Sequence, residues 1–143
     1  MNIQLANGDQ DIHNACHVLQ QLRPQYALEV LVDTVKKQQQ EGYQVVLASE
    51  NDDCLGVAGF VIGHKLAWKK HLYIDDLIVA EDARSAGVGG ALLDWICRFA
   101  QDEACEQIHL DSGVQRFAAH KFYLNHGFKI ASHHFSREIN PQS

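Results

Sequence analysis

The stretch Arg84-Ser85-Ala86-Gly87-Val88-Gly89-Gly90 joins an apolar segment to an amphipathic one, and few folds accommodate such a junction. Upstream, His71 to Val79 reads as a strand, with Leu72, Tyr73, Ile74, Leu77, Ile78 and Val79 apolar or β-favouring. Downstream, Val88, Leu92, Trp95, Ile96 and Phe99 recur at helical spacing, with Asp94 and Arg98 on the opposite side. The glycines predict uncovered backbone N–H groups at a helix N-terminus, where free donors and the helix dipole favour an anion such as a phosphate. A further strand at Gln107 to Ser112 makes this a strand–helix–strand unit, expected to be parallel and right-handed.

Known phosphate loops differ in detail. A P-loop requires Gly-Lys-Ser/Thr, and no Lys follows Gly89 or Gly90. The dinucleotide fingerprint requires a third glycine where this chain has Leu92. A glycine-rich turn that merely starts a helix is the ordinary alternative, and Arg84, placed before Gly87, weighs against it. Arg-x-x-Gly-x-Gly between a strand and a helix resembles the acetyl-CoA signature of the GNAT superfamily of N-acetyltransferases. Further on, Phe122-Tyr123-Leu124-Asn125-His126-Gly127-Phe128 is similar to that family's Phe-Tyr-x-x-x-Gly-Phe ending. The resemblance runs from about Tyr43 to Phe135. Ser85 stands where the family often has Gly, and Ala80-Glu81-Asp82 lacks a frequent Pro; neither blocks a phosphate cradle.

The resemblance implies an α/β fold with a central mixed, mostly antiparallel sheet of six to seven strands and helices on both faces. It implies acetyl-CoA as cosubstrate and a primary amine as acceptor, joined by direct attack in a ternary complex. A different class of function on the same fold is an acyl-CoA-binding sensor or interaction module without turnover.

A chain of 143 residues is expected to form a single domain, residues 1–143, and its 46% hydrophobic and 21% charged content is ordinary for a globular protein. No apolar run approaches the roughly 20 residues of a membrane span. Met1 to Ala6 lacks a secretory pattern, so a cytoplasmic address is the expectation. The net charge of −6 argues against nucleic-acid binding and is mildly compatible with a cationic amine. The partner expected is thus a small-molecule or protein amine, with neither nucleic acid nor membrane; a homodimer is compatible with the sequence. Cys16, Cys54, Cys97 and Cys105 show no Cys-x-x-Cys pair, so no disulfide or metal is assigned, and Cys97 reads as a buried reduced thiol. His13 and His17 share a helix face without a third ligand indicated, and read as solvated.

Taken in order, the chain reads as a strand at Asn2 to Ala6 and a helix capped by Asp9 or Asp11 running to Leu22. Arg23-Pro24 breaks that helix, and a second runs from Gln25 to Glu41. Strands at Tyr43 to Ser49 and Leu55 to Gly63 follow, and His64 to Lys70 connects to the central strand. After the glycine loop, its helix and the strand at Gln107, a helix from Arg116 to His126 ends at Gly127, and strands at Phe128 to Ala131 and His133 to Ile139 finish the sheet.

Asp75 and Asp76 interrupt the central strand. By simple alternation Asp75 shares a face with Tyr73 and Leu77, and Asp76 with Ile74 and Ile78. If helices cover both faces, a carboxylate there is costly to desolvate unless it reaches a wet cleft or a β-bulge re-aims it. One aspartate is expected to tie down a neighbouring loop and the other to line a cleft. An amine arrives protonated, with a pKa of about 10, and only its neutral form attacks a thioester, so a base is useful. By resemblance Asp75, or else Asp76, is that base, and Tyr123 is the acid that protonates the leaving thiolate, with Phe122 in the core. The resemblance also gives Leu77, Ile78 and Val79 to the pantetheine arm and Arg84, Ser85, Ala86, Gly87, Val88, Gly89 and Gly90 to the pyrophosphate. Arg23, Tyr26 and Trp68 lie in connections that can wall the acceptor site. His109, Asp111 and Ser112 do not make a hydrolase triad, because the nucleophile-elbow pattern is missing.

Overall fold

A computed structural model describes residues 1–84 and 86–140, so Ser85 of the glycine loop lies outside the described residues. The chain divides into two compact units, Met1–Leu110 and Asp111–Ser143.

The first unit runs β1 (Asn2–Leu5), α1 (Gly8–Leu22), α2 (Leu28–Gln40), β2 (Gln44–Glu50), β3 (Asp53–Lys65), β4 (Lys69–Val79), α3 (Val88–Asp102) and β5 (Gln107–Leu110). Its sheet has the order β1-β2-β3-β4-β5, antiparallel throughout except for the parallel β4–β5 pair that α3 bridges. Alternation along β2 and β3 sends side chains to two covered faces. Val45, Leu47 and Val57 join Ile12, Ala15, Cys16 and Leu19 of α1 and Leu31 and Val35 of α2 in one buried cluster. On the other face Phe60 meets Phe99 of α3 edge-on at 5.4 Å, and Gly56 lies under Val88 and Leu92. The apolar stripe of α3 is therefore Val88, Leu92, Leu93, Ile96 and Ala100, all buried.

Local chemistry moves several boundaries from those the sequence suggests. The amide of Tyr26 donates to the Arg23 carbonyl at 3.2 Å, closing a turn around Pro24, so α2 starts at Leu28 instead of Gln25. Asn7 takes the cap position of α1, and Asp11 reaches back to accept from its amide at 2.8 Å. β3 and β4 pair out to Lys65 and Lys69, leaving only residues 66–68 as their turn. Cys16 is the buried thiol, while Cys97 is half-buried.

The second unit holds α4 (Phe117–Asn125), closed as the sequence implies by Gly127 at φ +87°. The Phe128 amide donates to the Tyr123 carbonyl at 3.1 Å, and the two rings meet 5.8 Å apart. The strands expected at residues 128–131 and 133–139 are not formed, so among the described residues the sheet has five strands instead of six to seven. Ile130, Phe135 and Ile139 are 76%, 92% and 85% exposed. An apolar, β-favouring run supplies one side of a ladder and becomes a strand only where a neighbouring strand bonds it.

Candidate active site

The two aspartates of β4 mark a fault in the ladder. Phe60 of β3 pairs with Ile74, yet Gly59 pairs with Asp76, so Asp75 is the extra residue of a β-bulge. The bulge resets the alternation. Ile74, opposite Phe60, faces α3, whereas Asp76, opposite Gly59, faces α1 and α2, and Asp76 shares its face with Ile78 but not with Ile74 as strict alternation predicts. Below the bulge β4 also pairs with β5, from His71 with Gln107 to Ile74 with Leu110. Above it, among the described residues, Leu77, Ile78 and Val79 pair only with β3.

The aspartates have separate surroundings. Asp76 accepts from the Tyr43 hydroxyl at 2.6 Å through Oδ2, and from Arg23 Nε and Nη2 at 3.0 and 2.9 Å through Oδ1. It is the aspartate that ties down a connection. The Asp75 side chain is exposed, and its backbone carbonyl accepts from Arg23 Nη2 at 3.3 Å. Although solvent reaches it, protein close by raises the Asp75 carboxyl pKa, the neighbouring Asp76 charge raises it further, and Arg23 partly offsets both. Arg23, Tyr26, Tyr43, Asp75 and Asp76 line one cavity of about 350 Å³, floored by Leu19, Leu31 and Val35. Trp68 does not line it. It stacks on His109 at 3.5 Å in the β3–β4 turn, with Lys65 Nζ 4.0 Å from its ring.

β4 leads into the glycine junction. Gly87, at φ +76°, takes a left-handed conformation that costs other residues about 1–2 kcal/mol and turns the chain into α3. No described side chain caps that helix start, which leaves the first amides of α3 without a capping side chain. Val88 is buried and offers only its backbone, while Arg84, Ala86 and Gly87 are exposed.

Residues 10–128 match the profile of the acetyltransferase (GNAT) family. The chain belongs to that family. It is 29% identical over 124 residues to the uncharacterized N-acetyltransferase YhdJ of Bacillus subtilis, which covers 85% of this chain and 87% of that protein. A shorter match, 30% identical over 66 residues, is to an aminoalkylphosphonate N-acetyltransferase of Salmonella typhimurium, covering 46% of this chain and 43% of that one. Among solved structures, the aminoglycoside N-acetyltransferase AAC(6')-Iy in complex with CoA matches in fold, with TM-score 0.86 and 16% identity over 97% of this chain and 95% of that one. A transcriptional regulator from Bacillus halodurans does so with TM-score 0.83 and 21% identity, over 96% and 99%.

As a GNAT acyltransferase, the chain holds its remaining expected site residue, Tyr123, on α4 of the second unit, half-buried beside Phe122. Burial raises the Tyr123 pKa, with Arg116 pulling the other way, so the phenol keeps its proton at neutral pH. Two residues next to the bulge were missed by sequence reasoning. From the sequence, Tyr43 reads only as the start of a strand, and Gly59 only as an interior residue of the next. A glycine inside a strand signals close approach of another group, and here a Cβ at Gly59 would overlap the Tyr43 hydroxyl.

Proposed function

We propose that this enzyme moves an acetyl group from acetyl-CoA to a primary amine by direct attack in a ternary complex. The observation that carries the reading is the bulge at Asp75, set where β4 leaves β5 and runs toward the Gly87 turn. Backbone groups of Leu77, Ile78 and Val79 take the pantetheine arm, and one N–H polarises the acetyl carbonyl. Arg84 and the amides from Ala86 to Gly90 take the pyrophosphate, with the dipole of α3 behind them.

Asp75 accepts a proton from the bound ammonium, directly or through a water, and its raised pKa makes it a better base than an ordinary aspartate. The neutral amine then attacks the thioester carbon. As the tetrahedral adduct collapses, the C–S bond breaks, the nitrogen sheds its surplus proton to water, and Tyr123 protonates the departing thiolate. Arg23 and Tyr26 wall the acceptor on the α1–α2 side of the cavity. The family match spans both compact units, which supports one catalytic domain.

The test is thiol release from acetyl-CoA against a panel containing a polyamine, an aminoglycoside, an aminoalkylphosphonate, a free amino acid, a lysine peptide and a peptide N-terminus. Acceptor-dependent release with acetylation of nitrogen is the expected result. CoA binding without release on any member would favour a sensor.

A further inference from the structure

We propose that Asp76, held by Arg23 and Tyr43, is a positioning residue that clamps the β4 bulge and so fixes the aim and the charged surroundings of Asp75. This rests on the reading of Asp75 as the base.

A bulge adds an unpaired residue to a strand, and a ladder without other ties can slip its register. Here the extra residue, Asp75, is tied at its carbonyl, and the residue after it, Asp76, at both carboxylate oxygens. The Tyr43 hydroxyl, from just before β2, holds one oxygen of Asp76; Arg23, from the end of α1, holds the other and reaches the Asp75 carbonyl as well. On β3, Gly59 has no side chain where the Tyr43 phenol sits, so a third strand has yielded space to the same contact. Tyr43 is buried, and burial followed by the Asp76 charge holds its pKa far above the ordinary phenol value, so it remains a donor. Both Asp76 oxygens are occupied, and loss of either partner would leave a largely buried charge short of hydrogen bonds.

The groups facing Asp75 in this unit are few. Asp76 lies beside it on β4, Arg23 comes from the end of α1, Tyr26 from the α1–α2 connection and Tyr43 from just before β2, while α2 presents uncharged Thr34 and Gln38 to the same cavity. Beyond burial, then, the base sits between two opposed charges: Asp76 raises its pKa and Arg23 lowers it. A residue that stabilised the fold by packing alone would give no signed effect on the Asp75 titration.

The experiment is a carbon-13 NMR titration of the aspartate side-chain carboxyls in the full chain, with the Asp75 signal assigned by its loss in Asp75→Asn. Asp76→Asn keeps the shape and removes the charge, and it should move the Asp75 midpoint to lower pH. Arg23→Gln should move it to higher pH. Two shifts of opposite sign support the clamp; no shift, or two of the same sign, overturns it. Should Asp76→Asn fail to fold, Tyr43→Phe replaces it. That variant should raise the Asp75 midpoint by leaving the neighbouring Asp76 charge less compensated, and an unmoved Asp75 midpoint overturns the clamp. Thiol release by Asp75→Asn at the wild-type rate, alongside opposed shifts, would remove the base assignment and leave the clamp standing.

Discussion

From His71 to Ile74, β4 is bonded on both edges, to β3 and to β5; from Asp76 to Val79 it pairs, among the described residues, with β3 alone. Leu72 and Ile74 in the first half are 0% and 4% exposed, whereas Leu77, Ile78 and Val79 are half-buried. Both halves are built from similar apolar, β-favouring residues. Apolar composition therefore reports that a strand is inside a sheet without reporting whether both of its edges are bonded. The polar interruption between the halves is what marks the change, and the bulge at Asp75 is its physical form.

The largest expected effect separates the halves by chemistry. Asp75→Asn should lower turnover by about 10²–10⁴-fold while barely moving the unfolding midpoint, since Asp75 is exposed. The wild-type rate should rise with pH as Asp75 loses its proton, across a range above the usual ~3.9 of an aspartate because its pKa is raised, and the variant should lose that rise. Steady-state assays across pH, paired with thermal melts, check both statements.

Stability separates them next. Leu72→Ala, in the half bonded on both sides and fully buried, should cost about 2–5 kcal/mol in urea unfolding. Leu77→Ala should cost clearly less, and equal costs would erase the distinction. Gly59→Ala drives a methyl into the Tyr43 phenol and should cost about 1–3 kcal/mol. The smallest effect lies at the junction: Gly87→Ala should cost about 1–2 kcal/mol from its left-handed backbone, and calorimetry should also find weaker acetyl-CoA binding.

Much of this arrangement was legible in the chain. The glycine junction, the strand before it and the helix after it follow from period and composition, and the Asp75-Asp76 pair announced a bulge or a cleft. Their division of labour was not legible. It depends on Arg23, 53 residues from Asp76, and on Tyr43, 33 residues away, and no local pattern encodes such contacts. Trp68 shows the same limit: as an aromatic in a connection it suggests an acceptor wall, and its stacking partner in β5, His109, lies too far along the chain to leave a local signal. The last two expected strands failed for a related reason, because alternation specifies a face and not a partner.

A crystal structure of the enzyme with acetyl-CoA bears on the contrast within β4 at its root. The account predicts pantetheine amides hydrogen-bonded to the backbone of Leu77 to Val79 along the edge that β5 leaves open, with the pyrophosphate on the amides that follow Gly87. A cofactor bound away from that edge, or an edge closed by protein in the complex, would contradict it.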